Sequence, residues 1–260
     1  MSVNYSVTKA SEKELKNEFF KYYKHVFKSW NLLADVLEEK NIIELKDLEK
    51  FFELEEKSNK FKAYILDQCI WNISRNQPLA THLRFLIAII YSINDLERMA
   101  DYVIGSARYL YSFKVETKAA INLLVKAMRS SILTVDKLVK LLKNRMNIKK
   151  NYIRAYHNTV KLRTTYREEY NNLLKSLSNM MFKQDTVQDV TDIMTGFAMI
   201  MKYTERNVDH AVNIVENFIY IRNADFFFDK KSKQEIPNLG SGICNAMIEV
   251  NKVKGKKKDK

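Results

Sequence analysis

Ile93-Asn94-Asp95-Leu96-Glu97-Arg98-Met99-Ala100-Asp101-Tyr102 is answered 108 residues further on by Met201-Lys202-Tyr203-Thr204-Glu205-Arg206-Asn207-Val208-Asp209-His210. Both stretches contain E-R-x-x-D. With each charged residue type near about one position in sixteen, a single E-R-x-x-D arises by chance at roughly 1 in 4,000 positions. Two copies, each in the third helix-patterned stretch of its own half, point to a duplicated three-helix unit.

Around these motifs the apolar residues advance in steps of three and four, which predicts helices over about 11–40, 45–75, 80–113, 118–144, 148–182 and 187–222. Polar turns such as Lys40-Asn41 and Lys183-Gln184-Asp185 separate them, and Pro78 interrupts the pattern between the second and third. The fold class that follows is all-α: two tandem, similar three-helix bundles over residues 1–115 and 116–228, followed by a basic tail over 229–260. A helix of 33 residues is roughly 50 Å long, which suits elongated bundles.

Composition agrees. Five glycines and two prolines in 260 residues lie far below the usual shares of about 7% and 5%, which disfavours an all-β fold or a glycine-loop nucleotide binder. With 46% apolar and 29% charged residues, the chain can bury substantial cores. Cys69 and Cys244 are too few for a disulfide framework or a sulfur-based zinc site and fit a reducing compartment. The N-terminus lacks a signal pattern, and the apolar run Leu83 to Ile93 is broken by Arg84 and too short to cross a bilayer, so a cytoplasmic protein is expected.

Glu97 and Asp101 are one helical turn apart on one face, as are Glu205 and Asp209. Each pair falls on an apolar stripe: Leu86, Ile90, Ile93 and Ile104 in the first copy, and Met194, Ala198, Met201, Val212 and Ile219 in the second, where Glu216 continues the series. Carboxylates on such a stripe need a positive partner. Arg98, Arg206 or a basic residue of a neighbouring helix is one candidate, and a metal cation is the other; the repeat favours the cation. Carboxylates without cysteine or a Glu-x-x-His pair suit hard ions rather than a structural zinc. His210 points about 100° away from Asp209, as a flanking group.

Cys69-Ile70-Trp71-Asn72-Ile73-Ser74-Arg75-Asn76-Gln77-Pro78-Leu79-Ala80-Thr81-His82-Leu83-Arg84, followed by Asn94 to Asp101, resembles the PhoU family of phosphate-uptake regulators. Glu205-Arg206-Asn207-Val208-Asp209-His210-Ala211-Val212-Asn213-Ile214-Val215-Glu216 is similar to the family's E-R-x-x-D-x-A-x-N-I-x-E signature, and the resemblance spans about residues 15–228. It implies two similar three-helix bundles and a non-enzymatic adaptor peripheral to the inner face of the plasma membrane. The implied partners are phosphate ABC transporter components and a sensor kinase, with homo-oligomerisation left open. It also implies a multinuclear metal cluster, with iron favoured over zinc, magnesium or manganese, held by Glu97 and Asp101 in one half and by Glu205, Asp209 and Glu216 in the other. His82 departs from the family's usual Asp, and Tyr91 from a common lysine. Gly105 and Arg108 replace the counterparts of Asn213 and Glu216, so tighter metal binding is expected in the second half. Glu56, Asp67, Glu168 and Glu169 are the nearest second-helix acids.

Two other functions compete. A carboxylate-bridged metal enzyme is disfavoured because His25, His82, His157 and His210 are scattered and no catalytic motif is present. Nucleic-acid binding is suggested by the net charge of +13, but the lysines are spread. They concentrate only in the tail and in the run Lys137, Lys140, Lys143, Arg145, Lys149 and Lys150, which serves an anionic membrane surface equally well, and no nucleic acid is expected.

Overall fold

A computed structural model describes residues 5–78, 81–112, 118–145, 152–181 and 187–222. They form six helices: α1 (Tyr5–Lys40), α2 (Leu45–Asn76), α3 (Thr81–Ser112), α4 (Lys118–Arg145), α5 (Tyr152–Met181) and α6 (Val187–Arg222). The expected helices are all present. The first begins earlier than expected, at Tyr5. The expected boundary at 115/116 and the basic tail over 229–260 lie outside the described residues.

The connections follow from local chemistry. Asn41 adopts φ 60°, a left-handed conformation that asparagine tolerates, and its N–H returns to the Leu37 carbonyl at 3.0 Å. Asp47 then accepts the Glu44 N–H at 3.2 Å, while the Lys40 ammonium bridges Glu44 at 2.8 Å and Asp47 at 3.0 Å, fixing the entry into α2. At the far end Gln77 is left-handed with φ 44°, and Pro78 follows because it cannot continue the helix.

Helices α1, α2 and α3 pack on one another, as do α4, α5 and α6, and the two triplets meet along α3 with α6 and α1 with α4. Residues Met1–Arg222 form one compact unit. Duplication is written in the burial register. Leu48, Phe51, Ser58, Ile65 and Cys69 of α2 recur as the buried Tyr156, Thr159, Tyr166, Leu173 and Leu177 of α5, each 108 residues on. Ile89, Ile93, Leu96 and Ala100 of α3 recur at the same spacing as Phe197, Met201, Thr204 and Val208 of α6. On α1 and α4 the offset is 105: Leu15, Phe19, Leu33 and Leu37 become Ala120, Leu124, Leu138 and Leu142.

Volumes are exchanged between equivalent positions rather than copied. In the first core the Tyr22 hydroxyl lies 2.8 Å from the Ser58 hydroxyl; the corresponding residues of the second core are Ala127 and Tyr166, which place the large ring on the other helix. Trp30 is 1% exposed and donates its indole N–H to the Met99 carbonyl at 2.9 Å, where the second half has the smaller Val135.

Candidate functional site

The acidic motifs lie on α3 and α6, at the edge of the buried stripe rather than on it. Glu97, Asp101, Glu205 and Asp209 are 22%, 34%, 19% and 17% exposed, which leaves each carboxylate within reach of long basic side chains. Ala198, assigned to the apolar stripe, is exposed, and the side chain of Met194 lies outside those described.

In the first half, the Lys62 ammonium of α2 reaches Glu97 at 3.1 Å, and the Arg98 guanidinium stands 3.9 Å from both Glu97 and Asp101. The carboxyl of Asp101 is pushed up to about 6 by burial, by Glu97 and by Glu55 on α2, against the pull of Arg98 and Lys62. The second-helix acid facing the motif is therefore Glu55. Its neighbour Glu56 is exposed and pairs with Lys60 at 2.6 Å, and Asp67 is exposed as well.

In the second half, Arg163 of α5 points its Nε and Nη2 at a single oxygen of Asp209, at 3.1 and 2.8 Å. Arg167 and Arg206 approach the same carboxylate at 3.7 and 4.0 Å. Glu205 pairs with Lys202 on its own helix at 2.5 Å. Burial raises the Glu216 carboxyl above the ordinary range while Arg163 acts in the opposite direction, and Asp209 and Asp95 add to the rise. Glu168 and Glu169 are exposed, and Glu169 accepts a hydrogen bond from Ser130 at 2.6 Å.

Among the described residues, no three His, Cys, Asp or Glu side chains are grouped so as to hold a metal ion. Glu97, Asp101, Glu205 and Asp209 are matched instead to lysine and arginine side chains, and this arrangement does not fit a multinuclear cluster. The expectation of tighter binding in the second half meets the opposite electrostatics, because three guanidinium groups surround Asp209. Arg108, read from sequence as opposing a cation in the first half, lies with its guanidinium over the Phe52 ring at 4.8 Å.

The raised Asp101 carboxyl sets a pH dependence. Between about pH 4 and 6 the folded protein holds a proton that the unfolded chain has released, so this group favours folding at acid pH and opposes it above about pH 6. Asp101→Asn is expected to add about 1 kcal/mol of stability near neutral pH, a figure reduced because the side chain is 34% exposed. The gain should vanish below about pH 4. Urea denaturation at the two pH values measures this, and a loss of stability near neutrality would contradict it.

Where the halves meet, Tyr102 and His210 occupy equivalent positions and touch each other, the hydroxyl lying 3.1 Å from Nε2. A residue contacting its own counterpart marks an approximate twofold axis. His210 Nδ1 stands 2.7 Å from Asp95, so this histidine joins the halves. The matching contact on the other side of the axis is the Tyr102–Tyr203 ring stack, with centroids 5.0 Å apart. Gly105 is explained here: a Cβ would meet Tyr203 Cε2 at 2.9 Å, whereas its counterpart Asn213 faces the smaller Asp95 at 3.3 Å.

Taken with the repeated E-R-x-x-D motif, this geometry defines a class of duplicated three-helix bundle proteins carrying one acidic motif per half. A family model described as the PhoU domain matches residues 21–109. A protein of Mycoplasma genitalium designated Uncharacterized protein MG409 is 30% identical over 227 residues, covering 87% of this chain and 99% of that protein. Its homolog in Mycoplasma pneumoniae is 28% identical over 227 residues, with the same coverage of 87% and 99%. The phosphate transport system regulatory protein PhoU of Streptococcus pneumoniae superposes with a TM-score of 0.57 at 19% identity, over 84% of this chain and 97% of that one. PhoU of Pseudomonas aeruginosa gives 0.59 at 20% identity, over 83% and 99%. The chain belongs to the PhoU family.

Proposed function

We propose that this protein regulates phosphate transport, acting without catalysis as an adaptor between a phosphate ABC transporter and a signalling partner such as a sensor kinase. Family membership carries the reading, supported by the fold shared with a solved phosphate transport system regulatory protein. In this reading the protein works at the cytoplasmic face of the plasma membrane as a peripheral protein. None of the described helices is long and apolar enough to cross a bilayer. Exposed Lys137 and Lys140 on α4, within a chain of net charge +13, suit an anionic membrane surface.

An adaptor for two different partners needs two different outer faces, and duplication alone would supply two alike. Here they have diverged. On α2, Tyr64, Ile70 and Trp71 are 46%, 52% and 47% exposed, and Arg75 lies 5.1 Å from the Trp71 ring. The equivalent positions on α5 are Asn172, Ser178 and Asn179. Exposed aromatic residues of this kind are the usual anchors of an interface, so we assign the α2 face to docking on the transporter. Trp71→Ser should reduce co-purification of the phosphate transporter with the full-length protein at least about tenfold while leaving the melting temperature within about 2 °C. Undiminished co-purification would remove α2 from the interface. Failure of the unaltered protein to capture the transporter would reject the adaptor reading.

A further inference from the structure

We propose that Arg163 is the resident cation of the second acidic motif, a guanidinium of the chain itself holding Asp209 where a bound metal ion would otherwise be required. The inference does not depend on the regulatory reading. It rests first on register. Phe51 and Ser58 of α2 correspond to Thr159 and Tyr166 of α5, so the residue between them that faces the acidic motif is Glu55 in one half and Arg163 in the other. At a single equivalent position the charge has reversed.

Geometry makes the reversal consequential. Arg163 approaches Asp209 through Nε at 3.1 Å and Nη2 at 2.8 Å, with both side chains mostly shielded, at 20% and 17% exposure. Two N–H groups converge on one carboxylate oxygen, and such charge-assisted bonds are among the stronger ones in proteins. Arg167 and Arg206 add positive charge on the same carboxylate. A dication entering this space would have to displace a guanidinium from its hydrogen bonds and stand beside two more, and like charges that close repel. The positive charge belongs to the chain itself, so the motif is neutralised without reference to metal supply. The first half keeps the carboxylate, and its nearest cation is Lys62 on Glu97 at 3.1 Å.

The test uses the purified full-length chain incubated separately with manganese(II), zinc(II) and, without oxygen, iron(II), then desalted for elemental analysis. The unaltered protein and the Glu205→Gln/Asp209→Asn variant should retain equal amounts of each metal. Arg163→Gln should lower the melting temperature by about 5 °C, and adding Asp209→Asn to it should recover at least half of that loss, because removing both members of a charge pair strands neither. A lower metal content in Glu205→Gln/Asp209→Asn than in the unaltered protein would overturn the proposal. So would melting losses for Arg163→Gln and Asp209→Asn that simply add. Should Arg163→Gln yield no folded protein, the metal comparison decides alone.

Discussion

Trp30→Ala should cost about 4 kcal/mol of stability, among the largest losses that one substitution in the described helices can produce. The side chain is 1% exposed, sits between α1 and α3, and ties the two helices together through its bond to the Met99 carbonyl. Truncation removes the largest fully buried side chain and opens a cavity between long helices that cannot collapse without repacking along their length. The equivalent truncation in the second half, Val135→Ala, removes far less volume and should cost about 2 kcal/mol. Against a typical total of about 5–15 kcal/mol, the tryptophan variant loses a large share of its folded population under mild denaturant. Urea denaturation followed by circular dichroism measures both losses. A loss below about 1 kcal/mol for Trp30→Ala, or a larger one for Val135→Ala, would contradict the packing account.

The sequence carried the six helices because their apolar period is sustained over 28 to 36 residues and glycine and proline punctuation is sparse. It carried the duplication because E-R-x-x-D survives in both copies. Long-range pairing was not legible. Arg163 and Asp209 are 46 residues apart, and no local pattern says that a particular arginine of α5 reaches across. Glu55 and Glu56 differ by a rotation of about 100° about α2, and sequence periodicity locates a helical face no more finely than that. The burial register resolves the choice, since Ser58 and Phe51 are buried and Glu55 stands on their side toward Asp101.

Gly105 shows how the same signal can be read two ways. In sequence it is a departure from the family signature in the first copy, bearing on metal. In the structure it answers Tyr203, whose ring occupies the place of a side chain at that position. The axial contacts of Tyr102, His210, Asp95 and Asn213 span 108 to 118 residues and are visible only once the copies are placed face to face. A pairing of positions offset by the repeat length was the one signal in the sequence that pointed to them, since Tyr102 and His210 are equivalents.

The regulatory reading predicts the largest functional effect. If the protein restrains a phosphate transporter, its loss frees transport from control in phosphate-replete cells, where restraint matters most. If the exposed α2 face is the docking surface, Trp71→Ser, a substitution at a half-exposed side chain, should reproduce part of the effect of complete loss. The direct measurement is the initial rate of radiolabelled phosphate uptake by cells of the source organism, with expression of this chain switched off and then restored from a second copy. The account predicts a severalfold rise in uptake on loss, full reversal by the unaltered chain, and incomplete reversal by Trp71→Ser. An uptake rate unchanged by loss of the chain, with the transporter present and active, would contradict it.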